Sequence, residues 1–164
     1  MPEIEVRKAE SEELSASLAL VTALLQELGE EGDEAGELPL DALRTQLQHL
    51  GERHVIFIAV ESSGNIVGVL TLSECFALYA SGFYGVINEM YVVPHYRSAG
   101  VGGKLIRAAL EFGQSRGWKR IDVTAPESER WIRSRQFYES QGFTFTGPKL
   151  KILLSPAAGS SDVS

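Results

Sequence analysis

The sequence predicts an α/β domain, and three observations carry that prediction. Apolar residues recur at helical spacing in some segments and gather into short β-branched runs in others, alternating along the chain. A strand-like run near residues 88–93 passes into a helix-like run through a glycine-rich turn. The 164 residues suffice for one sizeable core and are short for two.

The elements follow in order. Ile4-Glu5-Val6 predicts a short strand, and residues 12–28 an amphipathic helix burying Leu14, Leu18, Val21, Leu24 and Leu25. Residues 40–50 predict a second helix. Val55-Ile56-Phe57-Ile58-Ala59-Val60 is too apolar for an exposed strand and belongs inside a sheet. Ser63-Gly64-Asn65 turns the chain into a strand over residues 66–73. A further strand over residues 85–93 stops at Pro94, which has no N–H for a ladder. Residues 100–116 predict a helix with Leu105, Ile106, Ala109, Leu110 and Phe112 facing inward and Gly117 capping it. A strand over 121–124, a helix over 128–141 and a closing strand pair at 143–145 and 149–154 complete the domain, residues 1–154. Residues 155–164, rich in Ser, Ala and Gly, have little to bury and are expected to be a disordered tail.

The turn at Arg97, Gly100, Gly102 and Gly103 has the composition of an anion cradle. Backbone N–H groups at a helix start lack partners inside the helix and carry the positive end of its dipole. Glycine lets a bulky diphosphate approach them without a Cβ in the way. Two familiar phosphate loops are excluded by spacing. A Walker loop needs Gly five residues before the Gly-Lys pair, where Ser98 stands, and Ser or Thr after it, where Leu105 stands. A dinucleotide fingerprint from Gly100 would require Gly at 105. The turn by itself is also compatible with a strand-to-helix connection that binds nothing.

Arg97-x-x-Gly100-x-Gly102, with Val92-x-Pro94 upstream, resembles the pyrophosphate motif of the GNAT superfamily of N-acetyltransferases, which bind acetyl-coenzyme A. Phe137-Tyr138-Glu139-Ser140-Gln141-Gly142-Phe143 resembles the aromatic-Tyr-x-x-x-Gly-Phe segment closing the same family's core. The resemblance covers residues 54–147 well and the first fifty only in outline. It implies a single GNAT domain, a mixed central sheet flanked by helices, with the strands carrying Val92 and Val123 splaying apart around the pantetheine arm.

The resemblance also implies a chemistry, acyl transfer from the thioester of acetyl-CoA to an amine. A donor is then needed where an oxyanion develops. By resemblance that donor is a backbone N–H within Met90-Tyr91-Val92, freed by a bulge, with Met90 first. Neighbouring carbonyls would hold the pantetheine amides. The backbone of Arg97, Ser98, Ala99, Gly100, Val101, Gly102, Gly103 and Lys104 would hold the diphosphate. Tyr138 matches the family's general acid, which protonates the leaving thiolate. A packing role for its ring is the alternative. Glu89 is the first candidate base for the incoming ammonium and Asp122 the second; for Glu89, cation binding or simple solvation is the alternative. Departures also count: Trp131 replaces an Asn common in the family, and the stretch from Asp122 to Tyr138 is longer than usual there by about one helical turn, so no cofactor contact is carried over near residues 125–133.

Composition narrows the partners. A net charge of −7 and pI near 5.0 argue against nonspecific nucleic-acid binding, yet Arg97, Lys104 and Arg107 cluster at the glycine turn. No apolar run approaches a membrane span and the N-terminus is acidic, so a cytoplasmic protein is expected. Cys75 is the single cysteine, and His49, His54 and His95 share no ligand spacing, so no metal is inferred. Residues 27–37 hold six acids and no base, which reads either as a solvated loop or as an attractor for a cationic small-molecule or peptide amine. Residues 76–84 are aromatic and compatible with an acceptor wall, a homodimer contact or core packing. A noncatalytic acyl-CoA sensor, a protein N-terminal or lysine acetyltransferase and an interaction module binding no cofactor remain as alternatives.

Overall fold

The computed structural model describes residues 3–29, 38–124, 132–147 and 150–155. They belong to two compact units, residues 1–124 and 125–164. The first unit is built on a five-stranded sheet in the order β1 (Ile4–Lys8), β2 (His54–Glu61), β3 (Ile66–Ala77), β4 (Gly82–Val92) and β5 (Ile121–Val123). The first four strands pair antiparallel and β5 joins β4 in parallel, which makes the sheet mixed.

Helix α1 (Leu14–Glu27) follows a short 3-10 turn at Ser11–Glu13. Its buried stripe is Leu14, Ser17 and Val21, which lie on one face at helical spacing. Ser17 escapes prediction because its hydroxyl bonds back to the Glu13 carbonyl at 2.9 Å, so burial leaves it satisfied. Val21 packs with Ile58 and Val69 on one sheet face, with Tyr91 alongside. Helix α2 (Leu40–Leu50) has the expected bounds but buries no residue.

Helix α3 (Val101–Arg116) covers the opposite sheet face. Val101, Leu105, Ile106, Ala109 and Phe112 are buried. A Cβ at Gly68 of β3 would stand 3.2 Å from Leu105 and 3.3 Å from Val101, so this glycine sets how closely the helix start approaches the sheet. Leu110, expected inward, is 40% exposed, because the stripe that meets the sheet is narrower than the apolar run. Gly117 caps the helix at φ 78°, as expected.

The β3–β4 hairpin outruns its neighbours. Pairing with β2 stops at Ser73 and pairing with β5 starts at Gly85, leaving a two-stranded arm. Phe76, Leu78, Tyr79 and Phe83 are exposed on it, so these side chains do not pack in the core.

In the second unit, α4 spans Ile132–Ser140, within the helix expected over 128–141; residues 125–131 lie outside the described residues. Residues 143–147 and 150–155 form no strand, in contrast to the closing pair expected. Strand geometry needs a ladder partner, and apolar composition alone does not supply one. Residues 156–164, the expected tail, also lie outside the described residues.

Candidate functional site

The site is organised by an irregularity in β4. Thr71 pairs with Glu89 and Leu72 with Ile87, so Asn88 is an extra residue on β4 and forms a bulge. The Glu89 N–H donates to Thr71 Oγ1 at 3.0 Å, and the Thr71 hydroxyl in turn donates to Glu89 Oε1. One buried hydroxyl thus fixes both the bulge and the carboxylate. Asn88 Nδ2 donates to Ser73 Oγ at 2.6 Å beside them.

Beyond the bulge, hydrogen-bond parity decides which way each amide points. Val93 donates to the Val67 carbonyl at 3.0 Å, so the pairs Val92–Gly68 and Met90–Leu70 are of the non-hydrogen-bonded kind. The N–H and C=O of Met90 and Val92 therefore face away from β3. On that side the β5 ladder ends at the Ile87–Val123 pair, and no ladder partner follows among the described residues. The parting of strands expected between Val92 and Val123 falls where β5 gives way to residues 125–131, which lie outside the described residues. The Met90 amide faces away from β3, while the Val92 carbonyl accepts from Arg97 Nε at 2.8 Å.

The glycine turn follows through a 3-10 turn at Pro94–Tyr96. Tyr96 donates its hydroxyl to Glu61 on the β2–β3 hairpin and so fastens the turn to the sheet. Gly100, the N-cap of α3, has φ 78° with open space where a Cβ would stand. The amides of Arg97, Ala99 and Lys104 bond to the carbonyls of Pro94, Tyr96 and Gly100. Those of Ser98, Gly100, Val101, Gly102 and Gly103 have no backbone acceptor among the described residues. A cluster of donors at the positive end of a 16-residue helix suits a diphosphate.

Two of the basic residues at the turn have partners within the protein. Lys104 Nζ reaches the Ile4 carbonyl at 3.3 Å and its amide closes the first helical turn. The Arg97 guanidinium bonds to the Glu27 carboxylate at 2.8 Å and lies 5.2 Å from the centre of the Tyr91 ring. Arg97 thus holds α1 against β4 and contributes to the turn through structure. Spacing in the sequence gave no sign of that pairing, since seventy residues separate the two.

Of the proton-transfer candidates, Glu89 is half-buried on the sheet face that carries α1. Asp122 is held by Arg120 at 2.8 and 3.0 Å. Tyr138 belongs to the second unit, on α4, with its ring centre 5.7 Å from that of Phe143. Burial pushes its phenol up to about 12, so it keeps its proton far into the alkaline range. Trp131 and residues 30–37 of the acidic segment lie outside the described residues. Thr71 is the residue that sequence reasoning missed: a threonine inside an apolar strand carries no signal without the register.

Comparison with known proteins agrees with this geometry. The model of the acetyltransferase (GNAT) family matches residues 19–143, a stretch that runs through both units. An uncharacterized N-acetyltransferase of Bacillus subtilis (strain 168) is 32% identical over 89 residues, 54% of this chain and 58% of that protein. The chain thus spans little more than half of that relative's length. Aminoalkylphosphonate N-acetyltransferase of Salmonella typhimurium is 26% identical over 144 residues, 87% of this chain and 86% of that protein. The crystal structure of a Trypanosoma brucei acetyltransferase superposes with a TM-score of 0.71 at 27% identity, covering 93% of this chain and all of that one. A glycine turn at the start of α3, a bulged β4 and a family match that runs through both make this chain a member of the GNAT acetyltransferase family.

Proposed function

We propose that this protein is an N-acetyltransferase that moves the acetyl group of acetyl-CoA to a primary amine by direct attack in a ternary complex. The observation that carries the reading is the run of acceptor-less amides at the start of α3, which follows a strand whose Met90 amide faces away from β3. Acetyl-CoA supplies an activated acyl group as a thioester. Amides of Ser98, Gly100, Val101, Gly102 and Gly103 hold its diphosphate, with Arg97, Ala99 and Lys104 shaping the turn. The backbone of Met90, Tyr91 and Val92 lines the pantetheine path. The Met90 N–H stabilises negative charge developing on the carbonyl oxygen under attack. Glu89, oriented by Thr71, takes the proton that the acceptor ammonium must lose before its lone pair can attack. Tyr138, protonated at neutral pH, returns a proton to the departing thiolate.

The acceptor is read as a small cationic amine. Glu89 and the acidic segment favour such a ligand, and the Salmonella relative is named for an aminoalkyl substrate. The test is calorimetric titration with acetyl-CoA, followed by a coenzyme A release assay over a panel of amines. Micromolar binding, about −8 kcal/mol, with amine-dependent release is the expected result. Folded, cofactor-free protein that binds no acetyl-CoA would overturn the reading.

A further inference from the structure

His54 opens β2, and the register places it on the sheet face of the proposed base. It pairs with Ser73, Ser73 and Thr71 share a face of β3, and Thr71 pairs with Glu89. On β3, between the strands that carry His54 and Glu89, stand Thr71 and Ser73, and Ser73 also accepts from Asn88. The imidazole lies close enough to Glu89 for the carboxylate to act on its ionisation, against burial, which is the larger effect and pulls it down. Its Nδ1 is buried with no hydrogen-bond partner among the described residues. On its other side His54 lines a pocket of about 310 Å³ between β1, β2 and α2. The charged groups around that pocket are Lys8, Glu10, Arg44 and Glu52.

We propose that His54 carries the acceptor's proton from Glu89 out to this pocket, a step that rests on the acetyltransferase reading. Glu89 first gains a proton from the ammonium, leaving a neutral amine. The proton then passes, through an intervening water, from the Glu89 carboxyl to the neutral imidazole, which restores the carboxylate. The imidazolium finally releases it to solvent in the pocket, while the second proton shed by the attacking nitrogen replaces the one Tyr138 gives to the thiolate, so charge and protons balance over each turnover. Burial keeps the imidazole neutral at pH 7, which suits it to receive a proton and to let it go. No motif marks this residue, because its relation to Glu89 exists only across β3.

Two measurements test the relay. Histidine side-chain NMR titration in wild type and Glu89→Gln should show the His54 pKa below 6.5 and lower still in the variant. An unchanged value would overturn the proximity. In coenzyme A release assays with the best amine of the panel, His54→Ala should lose at least tenfold in kcat with the acetyl-CoA KM unchanged. Added imidazole should recover several-fold, and His54→Gln should be equally slow but not rescued. A kcat within twofold of wild type, or a loss indifferent to imidazole in a variant that melts normally, would overturn the relay. Wild-type protein that releases no coenzyme A with any amine would defeat the acetyltransferase reading, and the relay with it.

Discussion

Replacing Thr71 by Val tests how the bulge and the base are held. Valine keeps the shape of threonine and removes the oxygen that accepts the Glu89 N–H and donates to Glu89 Oε1. Thr71 is 4% exposed, so water does not readily replace that oxygen. A hydrogen bond to a charged group contributes about 1.5–3 kcal/mol, and an orphaned N–H costs about 1–3 kcal/mol. Glu89 is only half-buried and can recover part of this from solvent, so a net loss of about 2–3 kcal/mol is expected. A domain of this length has an unfolding entropy of about 0.3 kcal/mol per kelvin, which converts the loss into a Tm decrease of about 6–9 °C. Calorimetric melting of Thr71→Val and Thr71→Ser supplies the comparison, because serine keeps the hydroxyl. Coenzyme A release by the same proteins should fall about tenfold or more for valine and little for serine. Equal melting temperatures for the two variants, or full activity in the valine protein, would refute the argument that one hydroxyl holds the site.

Three further outcomes follow from the same geometry. A Cβ at Gly85 would stand 2.3 Å from Trp118 Cζ3, and Trp118 is held by its bond to Glu74 at 2.7 Å, so Gly85→Ala should cost about 1–3 kcal/mol and lower the Tm by several degrees in a calorimetric scan. Gly100→Ala meets no atoms but forces a side chain to φ 78°, so about 1 kcal/mol of stability should be lost. Acetyl-CoA affinity should weaken with it about tenfold by titration, whereas Gly64→Ala, equally open at φ 98°, should lose stability alone. Tyr138→Phe should reduce kcat about a hundredfold with little change in acetyl-CoA binding. In wild type the phenol should titrate spectroscopically near 12 rather than 10. Its folded value is raised, so its contribution to stability is complete below pH 10 and is lost as pH rises towards 12.

Much of the first unit was legible because local patterns agree with tertiary needs. The apolar run 55–60 became an interior strand, Pro94 ended β4 within two residues, and Gly117 capped α3. The glycine turn was legible for a backbone reason: Gly100 announces the left-handed conformation that opens α3. Expectations that depended on partners fared worse. The strands expected at 143–145 and 149–154 have no ladder in the described residues. Leu110 fits the apolar stripe by spacing and yet faces solvent.

The sequence by itself determined the family, the α/β character and the location of the glycine turn, because a strand, that turn and a helix start are contiguous in the chain. Only the tertiary structure decided what surrounds Glu89. Thr71 meets it through antiparallel register, His54 shares its face from two strands away, and Glu27 closes on Arg97 from the end of α1. Those relations depend on which residues stand opposite one another. Strand register and helix docking are set by packing over the whole sheet, and no local stretch of sequence encodes them.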